Sequence, residues 1–374
     1  MAKRGHGEGT FYHRPDGRWS ATLRLEYGRR KTVYGRTRSE VQTKLRELQR
    51  DREQGVIVGA ASISVANYLA RWLDEAARLK LRPKTFISYS LNVRRLNPLI
   101  GRIRLAQLTP QAIQAAYARL SARGLAPRSV RQAHVVLHSA LRQAMRWGMV
   151  GRNAADGVIL PRPEPKEMAT LTSKQLQQLF ESTRGQSLHA VWVLLATTGL
   201  REGEALGLRW SDVDLTKGTL VVQRALQRHG SAGLVMVDPK TARSRRTIHL
   251  SRVALEVLAE HRARQREMRL LAGVAWRTDF GDLVFCARTG GPMGSSWLNV
   301  VFKRELVRAG LPLIRVHDLR HTAATLLLTR GVHPKVVQDM LGHSTVTLTL
   351  DTYSHVTPAL HKEAADHMDA LLGS

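Results

Sequence analysis

The chain has 374 residues, 43% of them hydrophobic, with a single cysteine and 58 Lys+Arg against 30 Asp+Glu, a formal net charge of +28. That length exceeds one compact core, so two or three domains are expected. One cysteine, Cys286, excludes an internal disulfide or a thiolate metal cluster within the chain. The positive balance makes a polyanion the natural partner, and basic residues recur along the whole chain without a lipid anchor or juxtamembrane cluster, which favours nucleic acid over membrane.

In chain order, GTFYHRPDGRWSATLRLEYGRRKTVYG alternates apolar and polar residues, with turn signals at Pro15, Asp16, Gly17 and at Tyr27, Gly28, and predicts three short strands. SEVQTKLRELQRDRE follows with Ser39 as N-cap and Val41, Leu45 and Leu48 at helical spacing, completing a β-β-β-α unit over residues 1–60. Arg18, Arg24, Arg29, Arg30 and Lys31 in this unit could carry a sheet into a DNA groove, or could form a solvated basic face.

From SVANYLARWLDEAARL to ALRQAMRWGMV the pattern is helical, with Pro83, Pro98, Pro110 and Pro127 at or beside helix boundaries; this predicts an all-α domain of about four helices over 62–152. Arg82, Lys84, Arg94, Arg95, Arg128 and Arg131 would give one side a phosphate-binding character, although exposed helix faces are commonly charged anyway. The proline-rich, charged stretch PRPEPKEM (161–168) suits an extended segment, so a linker over 153–168 is expected. A second helix-rich domain, 169–374, opens at TLTSKQLQQLFES with Thr172 or Ser173 as cap and Leu176, Leu179 and Phe180 as the buried stripe. GTLVVQRAL, AGLVMVDPK and RRTIHL are β-rich runs, and helices return from SRVALEVLAEHRA. Cys286, flanked by LVF, reads as a buried strand residue rather than a catalytic thiol. Apolar runs such as VWVLLATTG (191–199) are too short to span a bilayer. With no charged-then-apolar leader, a cytoplasmic location is expected.

Four stretches of the second half carry chemistry. In TTGLREGEALGL an apolar helix ends at Gly199 and another begins near Arg201; free amides at that start suit an anion, and Glu204 one turn on could orient the arginine, although the same pair alone reads as a surface ion pair. VDPKTARSRRTIHL reads as two β-segments joined by a basic turn that holds Lys240, Arg243 and Arg245; such turns usually touch phosphate or solvent. In RVHDLRHTAATLLL, His317, Arg320 and His321 share a face while Leu319, Ala323 and Leu326 to Leu328 pack inward. The two histidines lack a third matched ligand and the glutamate of a zinc-protease helix, so no metal is expected there. In MLGHSTVTLTLDTYSHV, Tyr353 follows His343 by ten residues; a lone tyrosine is ordinarily an amphipathic packing residue.

Together, TGLREGEAL, PKTARSRRTIHL, HDLRHTAATLLL, LGHS and DTYSHV stand in the order and approximate spacing of the tyrosine recombinases, the phage-integrase family, which the chain resembles over residues 169–357. The helical domain and the β-β-β-α unit look like that family's core-binding and arm-binding domains. The fold the resemblance implies is multidomain, mainly α with small antiparallel sheets, its catalytic domain mixed α+β. By motif, Arg201 and Arg320 resemble the phosphate-clamping arginines, Lys240 the hairpin lysine, His317 the first residue of His-x-x-Arg, His343 the following His/Trp position and Tyr353 the nucleophile. The His343-to-Tyr353 spacing is one longer than in Xer-type members and resembles the TLDTYSH variant of many phage integrases.

Physical chemistry fits those roles. A phosphodiester's charge repels nucleophiles, and paired guanidiniums can neutralise it without a metal. A phenol of ordinary pKa near 10 needs a proton acceptor or a cationic setting, which His317 could provide. The 5′-oxygen leaving group needs a proton, for which Lys240 is the candidate, and His343 would bond a non-bridging oxygen. Neither metal, cofactor nor ATP is expected. The resemblance implies duplex attachment sites, four protomers, exchange through a Holliday junction, an excisionase and a host DNA-bending protein as accessories. Rivals are a type IB topoisomerase-like nicking-closing enzyme, a non-catalytic DNA-binding regulator, and a metal-dependent nuclease. The tail TPALHKEAADHMDALL, with Leu360, Ala364, Met368 and Leu371 or Leu372 along one side, would pack on a neighbouring subunit or in cis.

Overall fold

The computed structural model describes residues 10–24, 30–53, 63–164, 168–230, 233–238, 245–342, 345, 368–369 and 371–372. The chain divides into two compact units, Met1–Pro165 and Lys166–Ser374.

In the first unit, alternation builds strands β1 (Thr10–His13), β2 (Trp19–Arg24) and β3 (Arg30–Gly35) into an antiparallel sheet of order β1-β2-β3. Gly17 at φ 76° turns the first hairpin, and the Asp16 carboxylate accepts bonds from the backbone and guanidinium of Arg18. Ala21 and Leu23 of β2 are buried with Val41 and Leu45 of helix α1 (Arg38–Glu53); the side chain of Leu48 lies outside the described residues. The cap differs from expectation. Helix α1 starts one residue before Ser39, and the Glu40 amide donates to Thr37 Oγ1 at 3.2 Å, because a capping oxygen must stand outside the first turn.

Four helical stretches follow. Helix α2 (Val65–Trp72) continues through a π turn (Leu73–Ala77) into α3 (Arg78–Lys80); then come α4 (Pro83–Ile100), α5 (Pro110–Ala122) and α6 (Pro127–Arg146). Pro83, Pro110 and Pro127 each occupy the first turn, where no amide is needed. Pro98 instead lies inside the last turn of α4. Tyr68, Leu69, Leu96, Ile113, Tyr117, Val130 and Leu137 form the apolar interior. The extended linker is shorter than expected at its start: Asn153, Ala154 and Ala155 are buried in this body, and Ile159 exchanges both backbone bonds with the Gln114 amide. Residues 165–167 lie outside the described residues.

The second unit is built around α8 (His189–Thr198), of which every residue except Thr197 is buried. Helices α7 (Ser173–Thr183), α10 (Arg252–Ala272) and α12 (Asp318–Thr329) pack against it, and α11 (Ser295–Arg308) packs on α7. Thr172 caps α7 in a reciprocal box with Gln175, and Ser251 caps α10. Short α9 (Glu202–Leu206) and α13 (Pro334–Leu341) complete the helices that frame the site. No described helix is long and apolar enough to cross a membrane.

Strand pairing departs from expectation. Strands β4 (Val213–Asp214), β5 (Thr219–Val222) and β8 (Arg246–His249) form one antiparallel sheet, and β6 (Ala225–Arg228) pairs with β7 (Leu234–Val237) in another. The two segments flanking the basic turn, β7 and β8, therefore pair with different strands rather than with each other. Register gives the reason: Val222 faces Arg246 and Ala225 faces Val237, so β8 and β7 are successive partners of one arm, β5 and β6, whose two ladders are separated only by Gln223 and Arg224. Cys286 is half-buried in an isolated bridge to Pro292 rather than in a strand, and accepts a bond from Gln265 Nε2 at 3.0 Å. In the tail, the described residues 368–369 and 371–372 are helical, with Met368, Leu371 and Leu372 exposed; Leu360 and Ala364 lie outside them.

Candidate active site

The turn after α8 organises the site. Gly199 closes the helix in the left-handed region at φ 62°, and a Cβ there would stand 2.5 Å from Leu341 Cδ2, so glycine is needed both for the turn and for the close approach of α13. The chain then extends through Leu200 to Arg201, the residue before α9.

Arg201 is held from three directions. Its backbone amide donates to Glu204 Oε2 at 3.0 Å, its Nη1 to Glu204 Oε1 at 2.8 Å, and its Nη2 to the carbonyl of Gly342 at 3.3 Å. Glu204 is 8% exposed, so the pair is no surface ion pair. Burial alone would raise its pKa, but hydrogen bonding and charge from Arg246, with the charge of Arg201, overcome that and draw it down to about 2.

Arg320, on α12, is 2% exposed and donates Nη1 to the Gly199 carbonyl at 2.7 Å. Both motif arginines thus meet the same few residues: Arg201 follows Gly199 by two positions and Arg320 bonds to it. A cation at the carbonyl end of α8 is also favoured by the helix dipole.

His317 precedes α12, and its ring stands edge-on to that of His321, centroids 5.1 Å apart. Partial removal from water and then the charge of Arg320 lower the pKa of His317; partial burial and then His317 lower that of His321 to about 4. Both shifts favour the neutral imidazole, which has an accepting nitrogen. Asp318 anchors this end of α12 by taking the Arg315 amide at 2.8 Å and its guanidinium Nη2 at 2.6 Å. Among the described residues no group of three or more His, Cys, Asp or Glu is arranged to hold a metal ion.

Lys240, Arg243, His343 and Tyr353 lie outside the described residues, as do Arg29 and the side chain of Arg24. Of the DNA-contact candidates, Arg18, Arg30, Arg82, Lys84, Arg94, Arg128, Arg131 and Arg245 are exposed, and Lys31 is half-buried. Arg95 bonds Asn92 Oδ1 at 3.4 Å.

Sequence reasoning missed Arg246, the other cation on Glu204. It opens β8 with a side chain only 7% exposed, and gives Nη2 to Glu204 Oε2 at 2.8 Å and Nε to the Met340 carbonyl at 2.7 Å. A readable signal existed: Arg246, Ile248 and Leu250 alternate with Thr247 and His249, and the other two of that set, Ile248 and Leu250, are core residues.

Comparison with known proteins fits this geometry. Residues 169–359 match the phage integrase family, and residues 64–121 match the phage integrase N-terminal SAM-like domain. A tyrosine recombinase XerC-like protein of Caldanaerobacter subterraneus subsp. tengcongensis is 31% identical, the match covering 91% of this chain and 92% of that protein. An integrase of Saccharopolyspora erythraea is 28% identical over 97% of this chain and 96% of its own length. Among solved structures, the Tn1549 transposon integrase in complex with a circular intermediate DNA is similar with a TM-score of 0.69 at 21% identity, covering 78% of this chain and 95% of that one. A lambda integrase dimer bound to a COC′ core site gives 0.59 at 18% identity, over 94% and 96%. The chain belongs to the phage integrase family, the tyrosine recombinases. Its activity is site-specific recombination, and its partner is DNA.

Proposed function

We propose that this recombinase cuts and rejoins duplex attachment sites through Tyr353, integrating or excising a phage or other mobile element. The Tyr353 oxygen attacks the scissile phosphorus, a Tyr–O–P bond to the 3′-phosphate forms, and the bond to the 5′-oxygen breaks. The phenol proton passes to His317, Lys240 supplies the proton that the departing 5′-oxygen takes, and His343 bonds a non-bridging oxygen. Arg201 and Arg320 neutralise the phosphate. The reverse attack by a new 5′-hydroxyl regenerates the phosphodiester, so the bond energy is conserved and no ATP is consumed.

The observation that carries this reading is that Arg320 donates to the carbonyl of Gly199, two residues before Arg201, whose own guanidinium is held by Glu204. The lowered pKa of His317, set first by its partial burial and then by Arg320, supports its part, since an imidazolium could not accept the phenol proton. We further infer a homotetramer on two sites in the cytoplasm, assisted by an excisionase and a host DNA-bending protein, with residues 1–60 engaging arm-type sites and 62–152 the core sites. A lambda integrase tetramer has been solved bound to a Holliday junction, which is the arrangement this reading requires.

The test is covalent trapping on a nicked suicide duplex. Tyr353→Phe is expected to bind DNA as the parent does and to form no protein–DNA adduct; undiminished adduct removes the assignment. Rejoining to a second duplex, rather than only to the original strand, separates recombination from nicking-closing.

A further inference from the structure

The bonds around Glu204 close into a ring. Its Oε1 accepts Arg201 Nη1 at 2.8 Å and Arg246 Nη1 at 3.3 Å; its Oε2 accepts the Arg201 amide at 3.0 Å and Arg246 Nη2 at 2.8 Å. From there the ring runs through Arg246 Nε to the Met340 carbonyl at the end of α13, and returns from the Gly342 carbonyl to Arg201 Nη2. At Gly342, φ 68°, a Cβ would lie 3.0 Å from Arg246 Nη1, so that backbone closes directly over the guanidinium.

We propose that Arg246 is a positioning residue for the recombination reaction: with Glu204 it fixes the direction of the Arg201 guanidinium, and through Met340 it sets the end of α13 against the same carboxylate. This rests on the reading of Arg201 as a phosphate clamp. Three separate observations carry it. Arg201 is about two-fifths exposed in its side chain, whereas Glu204 and Arg246 are buried at 9% and 7%; the group that would meet phosphate is accessible, and the groups that hold it are shielded. The Glu204 carboxylate by itself could not define one orientation for Arg201, because a carboxylate offers several equivalent lone-pair directions. Arg246 fills the other directions and leaves Arg201 its single Nη1 and amide seats. Finally, the geometry needs a guanidinium. One side chain must reach both carboxylate oxygens and a carbonyl on another helix from three nitrogens, which the single nitrogen of lysine cannot do.

Arg246 does not touch the reacting atoms, so its removal acts on rate through Arg201. A misplacement of about 1 Å in a clamping group lowers a rate about 100-fold without preventing binding. That separates positioning from plain stability: a stability loss reduces the fraction of molecules that react, whereas a positioning loss slows those that remain folded.

The experiment measures single-turnover adduct formation on a suicide duplex at saturating DNA, with rate constant and amplitude read separately, for the full chain carrying Arg246→Met, Arg246→Lys or Tyr353→Phe. Arg246→Met is expected to slow the rate constant about 100-fold with DNA affinity within about 3-fold of the parent, since most contacts to the duplex lie elsewhere. Arg246→Lys keeps a buried cation for Glu204 but loses the Met340 bond, and is expected to slow the reaction about 10-fold while remaining folded. Should Arg246→Met fail to fold, Arg246→Lys decides alone. A lysine variant reacting at the parental rate constant, whatever its amplitude, overturns the proposal. Tyr353→Phe distinguishes the two levels: an inactive Phe variant beside a full-rate Arg246 variant sinks only this inference, whereas an active Phe variant sinks the underlying reading.

Discussion

The helical body of the first unit and the second unit use charge in opposite ways. In residues 63–160 the interior is almost wholly apolar, led by Tyr68, Leu96, Ile113, Tyr117 and Leu137, and Lys84, Arg94, Arg128 and Arg131 stand in solvent. In the second unit, Glu204, Arg246, Arg320, Asp318, Asp212 and Glu305 are all buried or nearly so. Exposed cations are screened by salt and freely exchanged for counterions, which suits reversible attraction to a polyanion. Buried ones cannot reorganise when a charge develops beside them, which suits chemistry on a single phosphate. The lesson is that a net charge of +28 mixes two populations with different work.

The sharpest way to break this contrast is to unpair the buried network. Glu204→Ala strands two guanidiniums beside one another and should cost about 3–5 kcal/mol, measured by denaturant unfolding. A loss well below 1 kcal/mol would mean the network is solvated like the surface charges. In the apolar body, Leu137→Ala at a fully buried position should cost about 2–5 kcal/mol, a penalty of the same size that has a different pH response.

That response separates the two further. The pKa of Glu204 is depressed to about 2, so its contribution is complete above the ordinary carboxylate value and disappears as pH falls through about 2. The deficit of Glu204→Gln relative to the parent should therefore shrink between pH 5 and pH 2, whereas that of Leu137→Ala should stay flat. Glu202 has the opposite sign. Burial, only partly offset by the bond from Asn299 Nδ2 at 2.8 Å, raises its pKa to about 7. Its folded-state advantage is complete below the ordinary value near 4.5 and is lost as pH rises through 7. Glu202→Gln keeps the Asn299 bond and should gain on the order of 1 kcal/mol over the parent at pH 8, allowing for partial exposure, with no gain at pH 4. A pH-independent difference would mean that the surroundings of Glu202 do not disfavour its charged form.

The smallest expected effect lies on the exposed side. Arg128→Gln and Arg131→Gln should leave the single-turnover adduct rate unchanged. Each should reduce the slope of log affinity against log salt by about 0.9 wherever the arginine neutralises a phosphate. A change in the rate constant would mean that these cations also reach the chemistry.

Much of this was legible before any coordinates. The prolines at 83, 110 and 127 opened helices, Gly199 closed one, and Thr172, one of two candidates, took the cap of α7, because each is a local rule about one residue's backbone or side-chain oxygen. Arg201 and Arg320 were singled out by the motifs the chain shares with the family, and the structure sets them at the start of α9 and within the first turn of α12. Strand partnership around the basic turn was not legible: pairing depends on how many residues separate two ladders, and neither β7 nor β8 signals its partner by composition.

The sequence by itself determined which segments curl, which extend and the sign of the charge, because periodicity and proline and glycine chemistry act over a few residues. Only the tertiary structure decided that Glu204 serves Arg201 and Arg246 together and that Arg246 ties β8 to the end of α13. A carboxylate and a guanidinium 42 residues apart become partners only when folding removes both from water, where neither can stay buried without the other.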